Sequence, residues 1–370
     1  MEKLLSKTKR DNNNADKKIV KKENKEVNNP KNIEIIKDII NDSYIQPKVK
    51  RKYNYINTFN VFKSINNIIY LFYSNKNYSI ISFNLINNRQ LNEIKRAHNK
   101  PISSFRNYID DINHKELLMS ISESDNNIKI WNVKNLEFLY NFEKINEIGS
   151  LYSACFLKNK NNQIYIVTSN YTEKCPNYIQ IFKLNGEKIK NINDSDDATF
   201  FIDVYYDISS LKTFIITGNI GYSKSFDYDN NKLYFEYKDN YNSYSNHTNL
   251  IISKKDNIIR LIESCTDGYI MIWNFHTNIL LRKITSQSNI NSICLWNDEF
   301  LIVGCGKAKI SLLEIESESF IKDINSNNDY DNTDVIDIKK INHPKYGECL
   351  IYQEYSQIKY LLNKDHKKIV

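Results

Sequence analysis

Glu116-Leu117-Leu118-Met119-Ser120-Ile121 and Asn127-Ile128-Lys129-Ile130-Trp131-Asn132-Val133 are two short apolar runs separated by Ser122-Glu123-Ser124-Asp125-Asn126. In the second run Ile128 and Ile130 alternate with Asn127 and Lys129, the period of a strand with unlike faces. The Ser/Asp/Asn stretch between them is turn chemistry, because these side chains close their own backbone turns. The unit is therefore an antiparallel pair of strands, and the fold depends on whether it recurs.

It recurs seven times. The pairs are Ile68–Tyr73 with Tyr78–Leu85, the quoted pair, Gln163–Thr168 with Tyr178–Leu184, Lys212–Thr217 with Tyr222–Tyr228, Ile259–Cys265 with Tyr269–Phe275, Phe300–Cys305 with Lys309–Ile315, and Cys349–Gln353 with Ile358–Leu362. Markers at Phe83, Trp131, Phe182, Phe226, Trp273, Leu313 and Tyr360 are separated by 48, 51, 44, 47, 40 and 47 residues. That spacing is expected of four-stranded propeller blades, and the intervals hold two more strands each, such as Leu136–Phe142 and Ser150–Leu157. The last unit has an inner strand at Val335–Lys340 but no outer one. A strand at Asn54–Phe59, ahead of a first inner strand at Val61–Ile65, is expected to supply it and close the ring, removing the exposed edges of an open array. The fold class is thus all-β, a seven-bladed propeller over residues 53–363 with a tail at 364–370.

Two units carry more than a period. Ala97-His98-Asn99-Lys100-Pro101-Ile102 followed by Ser124-Asp125-Asn126-Asn127-Ile128-Lys129-Ile130-Trp131-Asn132 resembles the Gly-His to Trp-Asp pattern of the WD-repeat family. Asn246-His247-Thr248-Asn249-Leu250-Ile251 followed by Thr266-Asp267-Gly268-Tyr269-Ile270-Met271-Ile272-Trp273-Asn274 resembles it again. The resemblance implies that His98, Asp125 and Trp131, and likewise His247, Asp267 and Trp273, join hydrogen-bonded structural sets with a strand Ser or Thr. Ser120 and Ser122 are both candidates in the first set. Asn132 and Asn274 replace the terminal Asp, and the other five units keep only the apolar pattern. The segments after each Trp lack the Arg of ubiquitin-ligase substrate receptors, and no Phe-Arg-Arg-Gly motif of phosphoinositide-binding propellers is present.

With 41% hydrophobic and 12% aromatic residues, the 370-residue chain can build a substantial core. It holds 55 Asn and 56 Ile against 8 Gly and 5 Pro, so Asn is expected to stand in for Gly in the turns. Residues 1–52 carry 15 Lys/Arg and 8 Asp/Glu, which accounts for the whole net charge of +7. They read as a basic, mostly disordered arm, with a helix expected at 31–42 from the spacing of Ile33, Ile36, Ile39 and Ile40. The six cysteines form no C-x-x-C pair, so reduced thiols are expected. There is no secretory signal pattern, and the weakly charged run Ser64 to Asn88 alternates like strands rather than spanning a membrane. The expectation is an intracellular protein, in the cytoplasm rather than the nucleus.

No G-x-S-x-G, phosphate-binding Gly-rich loop, H-E-x-x-H or GxGxxG motif occurs, and His114, His276, His343 and His366 read as isolated turn or surface residues. No catalytic, cofactor or metal residues are assigned, and the chain is not expected to be an enzyme. Function is expected in the loops, where Tyr171, Asp194, Asp196, Asp197, Tyr241, Tyr244, Tyr330 and Asp331 would form an acidic, Tyr-dotted mouth suited to basic protein segments. The reading is a non-catalytic scaffold, a monomeric subunit within a larger protein complex. The alternative is an RNA- or ribonucleoprotein-associated factor whose residues 1–52 engage phosphate backbone.

Overall fold

The two quoted runs form the strands Lys115–Ser122 and Asn127–Asn132, paired antiparallel with Leu118 opposite Trp131. The structure, a computed structural model, describes residues 33–38, 56–143, 150–171, 177–195, 198–239, 245–307, 309–323, 334–354 and 357–363. All seven expected pairs are present, each completed to a four-stranded antiparallel sheet. The inner strands of blades 1 to 7 are Ile56–Lys63, Ser104–Asp110, Ser150–Lys158, Phe201–Asp207, His247–Lys255, Ile290–Asn297 and Val335–His343. Each touches the inner strand of the next blade, and that of blade 7 touches that of blade 1, so the ring is closed.

The closing strand is not the expected one. Asn54–Phe59 and Val61–Ile65 fall largely within one strand, Ile56–Lys63, the inner strand of blade 1. The outer strand of blade 7 is Ile33–Asp38, where a helix at 31–42 was expected; it pairs antiparallel with Gln357–Asn363, Ile33 opposite Asn363 and Asp38 opposite Lys359. The Ile spacing fits a helical stripe, but β-branched Ile is stiff and suits a pleated surface, and the open edge of Gln357–Asn363 offers partners that an isolated helix lacks. The propeller therefore begins in the basic segment, upstream of residue 53. The rest of that segment, residues 1–32 and 39–55, lies outside the described residues, as does the tail 364–370.

The core is itself a ring. Each of seven buried apolar clusters is shared by two neighbouring blades: Phe105, Leu118 and Trp131 of blade 2 pack with Tyr70 and Phe72 of blade 1, and Phe59 and Leu71 of blade 1 pack with Cys349 and Ile351 of blade 7. No blade can bury both faces alone, which is why the array must close. The five described cysteines are free, and all but Cys294 are buried. Asn does take the left-handed turn positions: seven of the fifteen described non-Gly residues with positive φ are Asn.

Antiparallel order sorts the connections. Turns joining first to second and third to fourth strands lie at one end of the ring, the turn end. Turns joining second to third strands, and the blade-to-blade connections, lie at the other, the loop end. Ile33–Asp38 runs from the turn end to the loop end, with Ile33 at the turn end opposite Asn363.

Candidate functional site

In blade 2 the structure brings His98 and Trp131 together on Ser120, whose Oγ lies 2.7 Å from His98 Nε2 and accepts a 2.8 Å bond from Trp131 Nε1. All three are buried. Ser122 instead donates to the Pro101 carbonyl. Asp125 does not touch the imidazole; its Oδ2 accepts from the backbone amides of Asn99 and Lys100, both at 3.0 Å, tying down the loop that carries His98. Burial, helped by the Lys129 ammonium, pulls the His98 pKa down to about 3, so the ring is neutral.

Blade 5 uses different chemistry in the same place. Glu263, like Ser120, lies two residues beyond the residue paired with the Trp. Its Oε1 accepts from Trp273 Nε1 at 2.7 Å, while Oε2 lies 3.0 Å from His247 Nδ1 and accepts from the Ser223 hydroxyl of blade 4. His247 and Glu263 are completely buried. A buried carboxylate survives only with polar partners around it, and here the Trp273 indole and the Ser223 hydroxyl donate to it while an imidazole nitrogen lies at hydrogen-bond distance. Gly218 belongs to this site: a Cβ there would run into the His247 carbonyl. Asp267 sits in the exposed turn before Tyr269. Sequence reading missed Glu263 and Ser223; strand register, which places Ser120 and Glu263 alike, was the available signal.

At the loop end, Tyr171 closes the strand Ile164–Tyr171 opposite Ser150. Asp194, expected in a loop, instead lies in the outer strand Lys188–Ser195. This strand is longer than its polar sequence signals, because pairing with Asn177–Lys183 holds it as far as Ser195 opposite Asn177. Asp196, Asp197, Tyr241, Tyr244, Tyr330 and Asp331 lie outside the described residues.

The turn end is built by one local rule. In six blades a side chain at the end of the inner strand accepts backbone amides of the turn: Ser64 from Asn66, Asp110 from Ile112 and Asn113, Asn159 from Asn161 and Gln163, Asp207 from Ser209, Asn297 from Glu299 and Phe300, and His343 Nδ1 from Lys345. Blade 5 uses Asp256-Asn257, both at positive φ as a tight hairpin requires. His343, read as a turn or surface residue, is buried, with Nε2 3.3 Å from the Leu85 carbonyl across the blade 7–blade 1 seam. Asp207 also accepts from the Ser209 and Ser210 hydroxyls and faces His276 Nε2 at 3.5 Å. Burial alone would raise its pKa, but these partners hold it below the usual carboxylate range.

These caps fix turns whose tips differ. Blades 1, 2 and 4 present aliphatics: Ile65 is 46% exposed, Ile112 53%, Ile208 78% and Leu211 63%. Blade 7 presents Pro344-Lys345-Tyr346, blade 3 Lys160-Asn161, and blade 6 Asp298-Glu299. Leu211 stands at φ +54, a region aliphatic side chains avoid. Among the described residues no group of three or more His, Cys, Asp or Glu is placed to hold a metal ion, and no helix is long and apolar enough to cross a membrane.

What this geometry defines is a class, the seven-bladed β-propeller, a fold that commonly serves as a protein-interaction scaffold. No protein-family model matches the chain, and no curated protein matches it.

Proposed function

We propose that the chain is a WD-repeat-type, non-catalytic scaffold that holds protein partners at the loop end of the ring, with basic segments of those partners meeting its acidic connections. The observation that supports this most is where the polar chemistry goes. His98, Ser120 and Trp131, and His247, Glu263, Ser223 and Trp273, spend their hydrogen bonds on each other inside the blades. The invested residues therefore stiffen a frame, and sequence freedom is left to the connections, the division of labour of a fold that binds through its loops. Binding energy would come from a few aromatic anchors within complementary charge.

The test is affinity capture from cell lysate with the full chain and with Asp194→Lys, Asp196→Lys and Asp197→Lys combined. Loss of captured proteins rich in basic segments is the expected result. An unchanged set of captured proteins, with the variant melting as the parent does, would discard the loop-end reading.

A further inference from the structure

The wall of the ring is made of seven outer strands, one per blade, and the outer side of each offers backbone N–H and C=O groups for further pairing. Six of the seven carry charged side chains within the strand, the usual guard on such an edge, from Arg89 and Glu93 in Arg89–Ile94 to Arg282 and Lys283 in Ile279–Thr285. The seventh, Phe138–Phe142 of blade 2, reads Phe-Leu-Tyr-Asn-Phe and has none. Among the described residues no strand pairs with its outer side. A bulge at Leu139 twists this edge, but the outer strands of blades 1 and 3 to 6 are bulged at the equivalent place and carry charge as well. The bulge is therefore common to the wall, and the missing charge is particular to blade 2.

Aromatic surface stands where the charge is missing. Phe138 is 51% exposed and Tyr140 36%. The Phe138 ring lies edge-on to the Trp131 indole at 5.5 Å, and that indole is itself tied to Ser120, so the exposed ring has a rigid backing. Aromatic groups held in place are what the centres of protein interfaces are enriched in.

The two ends of the strand decide what pairs with it. Glu137 and Glu143 bracket it, both exposed. The Asn135 amide donates to Glu137 Oε2 at 3.3 Å and the Asn141 amide to Glu143 Oε1 at 2.6 Å, and among the described residues neither carboxylate makes an ion pair. A second copy of the chain fits badly. Antiparallel over the whole strand, it would set Glu137 of each copy against Glu143 of the other; parallel and in register, it would set each glutamate beside itself, and like charges directly opposite destabilise a strand pair. A segment with Lys or Arg at both ends, about five or six positions apart once the bulge is counted, meets both carboxylates favourably.

We propose that the outer edge of blade 2 is a β-augmentation site, where an extended protein segment with basic ends and apolar or aromatic residues between them adds to Phe138–Phe142 as a further strand. Its backbone supplies affinity, and its ends and alternate side chains supply register and specificity. The surface lies on the wall of the ring, apart from the loop end, and stands independently of the loop-end reading.

The test uses the full chain and a fluorescent synthetic peptide with lysine at each end and alternating valine and threonine between, read by anisotropy and by hydrogen exchange of the chain. Binding is expected, with the amides of Phe138–Phe142 gaining protection. The same peptide with alternate backbone amides N-methylated, or with glutamate ends, should bind at least about tenfold more weakly. Glu137→Lys combined with Glu143→Lys should turn the preference toward the glutamate-ended peptide. Tyr140→Lys, which gives blade 2 the guard the other edges have, should weaken the lysine-ended peptide about tenfold. All three side chains are exposed, so the melting temperature should hold and certify the fold. Absence of binding, or binding that leaves the protection of Phe138–Phe142 unchanged, overturns the proposal, as does binding indifferent to N-methylation or to the charge reversal. A dimer by sedimentation equilibrium, with this edge protected before any peptide is added, would overturn it in favour of a second copy.

Discussion

Blades 2 and 5 hold the same two residue types, a loop His and a strand Trp, and close the space between them differently. In blade 2 the centre is a hydroxyl, Ser120, which meets one donor from the Trp and one imidazole nitrogen. In blade 5 it is a carboxylate, Glu263, which needs a third partner and takes it from the neighbouring blade as Ser223. The geometry is thus set by strand register, while the chemistry is free to vary provided the indole N–H and one imidazole nitrogen find a partner at the centre; the other nitrogen, Nδ1 of His98 and Nε2 of His247, is buried without one in both sets. A second consequence concerns the ring: the blade 2 set is internal to its blade and the preceding loop, whereas the blade 5 set bonds one blade to the next.

Glu263→Ala puts that difference to its hardest test. It leaves Trp273 Nε1 without its acceptor and takes from His247 Nδ1 and the Ser223 hydroxyl the carboxylate that joins them to it, leaving those two only each other at 3.1 Å; truncating one partner of a buried pair costs about 3–5 kcal/mol. Urea unfolding should show that order of loss, with protection of amides in the strand Ser223–Asp227 falling alongside blade 5 because Ser223 loses its bond to the carboxylate. Ser120→Ala removes a neutral centre with fewer dependents, so the expected loss is about 1–3 kcal/mol, and amide protection in blades 1 and 3 should hold. Equal losses for the two variants would erase the distinction between a hydroxyl and a carboxylate centre.

Acid offers a third comparison. The folded protein keeps His98 neutral down to about pH 3, while the unfolded chain takes up that proton below its ordinary pKa of 6.5. The unfolded state therefore binds more protons between these values, so the contribution of His98 to stability is complete above about pH 6.5 and is lost as pH falls toward 3. His98→Gln, which retains a donor for Ser120, is expected to flatten stability against pH in that window by up to one proton, about 1.4 kcal/mol per pH unit. An acid limb as steep as the parent's would show that the neutral His98 is not what makes blade 2 acid-sensitive.

How much of this was legible in the sequence follows from range. The strand pairs were, because alternation such as Ile128-Lys129-Ile130 and Asn-rich turns are local signals, and the marker spacing then implies the ring. The closing strand was not, since Ile33, Ile36, Ile39 and Ile40 satisfy a helical period and only the distant edge of Gln357–Asn363 decides for a strand. Glu263 reads as an unremarkable acidic residue in an apolar run until register places it against Trp273 and His247. The turn-end tips were passed over for a related reason: Ile65, Ile112 and Ile208 are single apolar residues in polar stretches, and nothing local reveals that their turns share one end of a closed ring. The long acidic connections drew attention instead, and Asp194 among them proved to be in a strand.

The smallest expected effect extends the same contrast between costs met inside the molecule and costs left open. Leu136 and Leu211 both adopt left-handed backbone, at φ +56 and +54. Leu136 is 1% exposed and packs with Trp131 and Val133, so burial offsets its strain; Leu211 is 63% exposed and has no such return. Asn tolerates this conformation, as Asn67, Asn162 and Asn257 do in the corresponding turns. Leu211→Asn is therefore expected to raise stability by about 0.5–1 kcal/mol, while the same change at Leu136 destabilises by burying an amide where a leucine packed. Thermal unfolding of the two variants measures both signs.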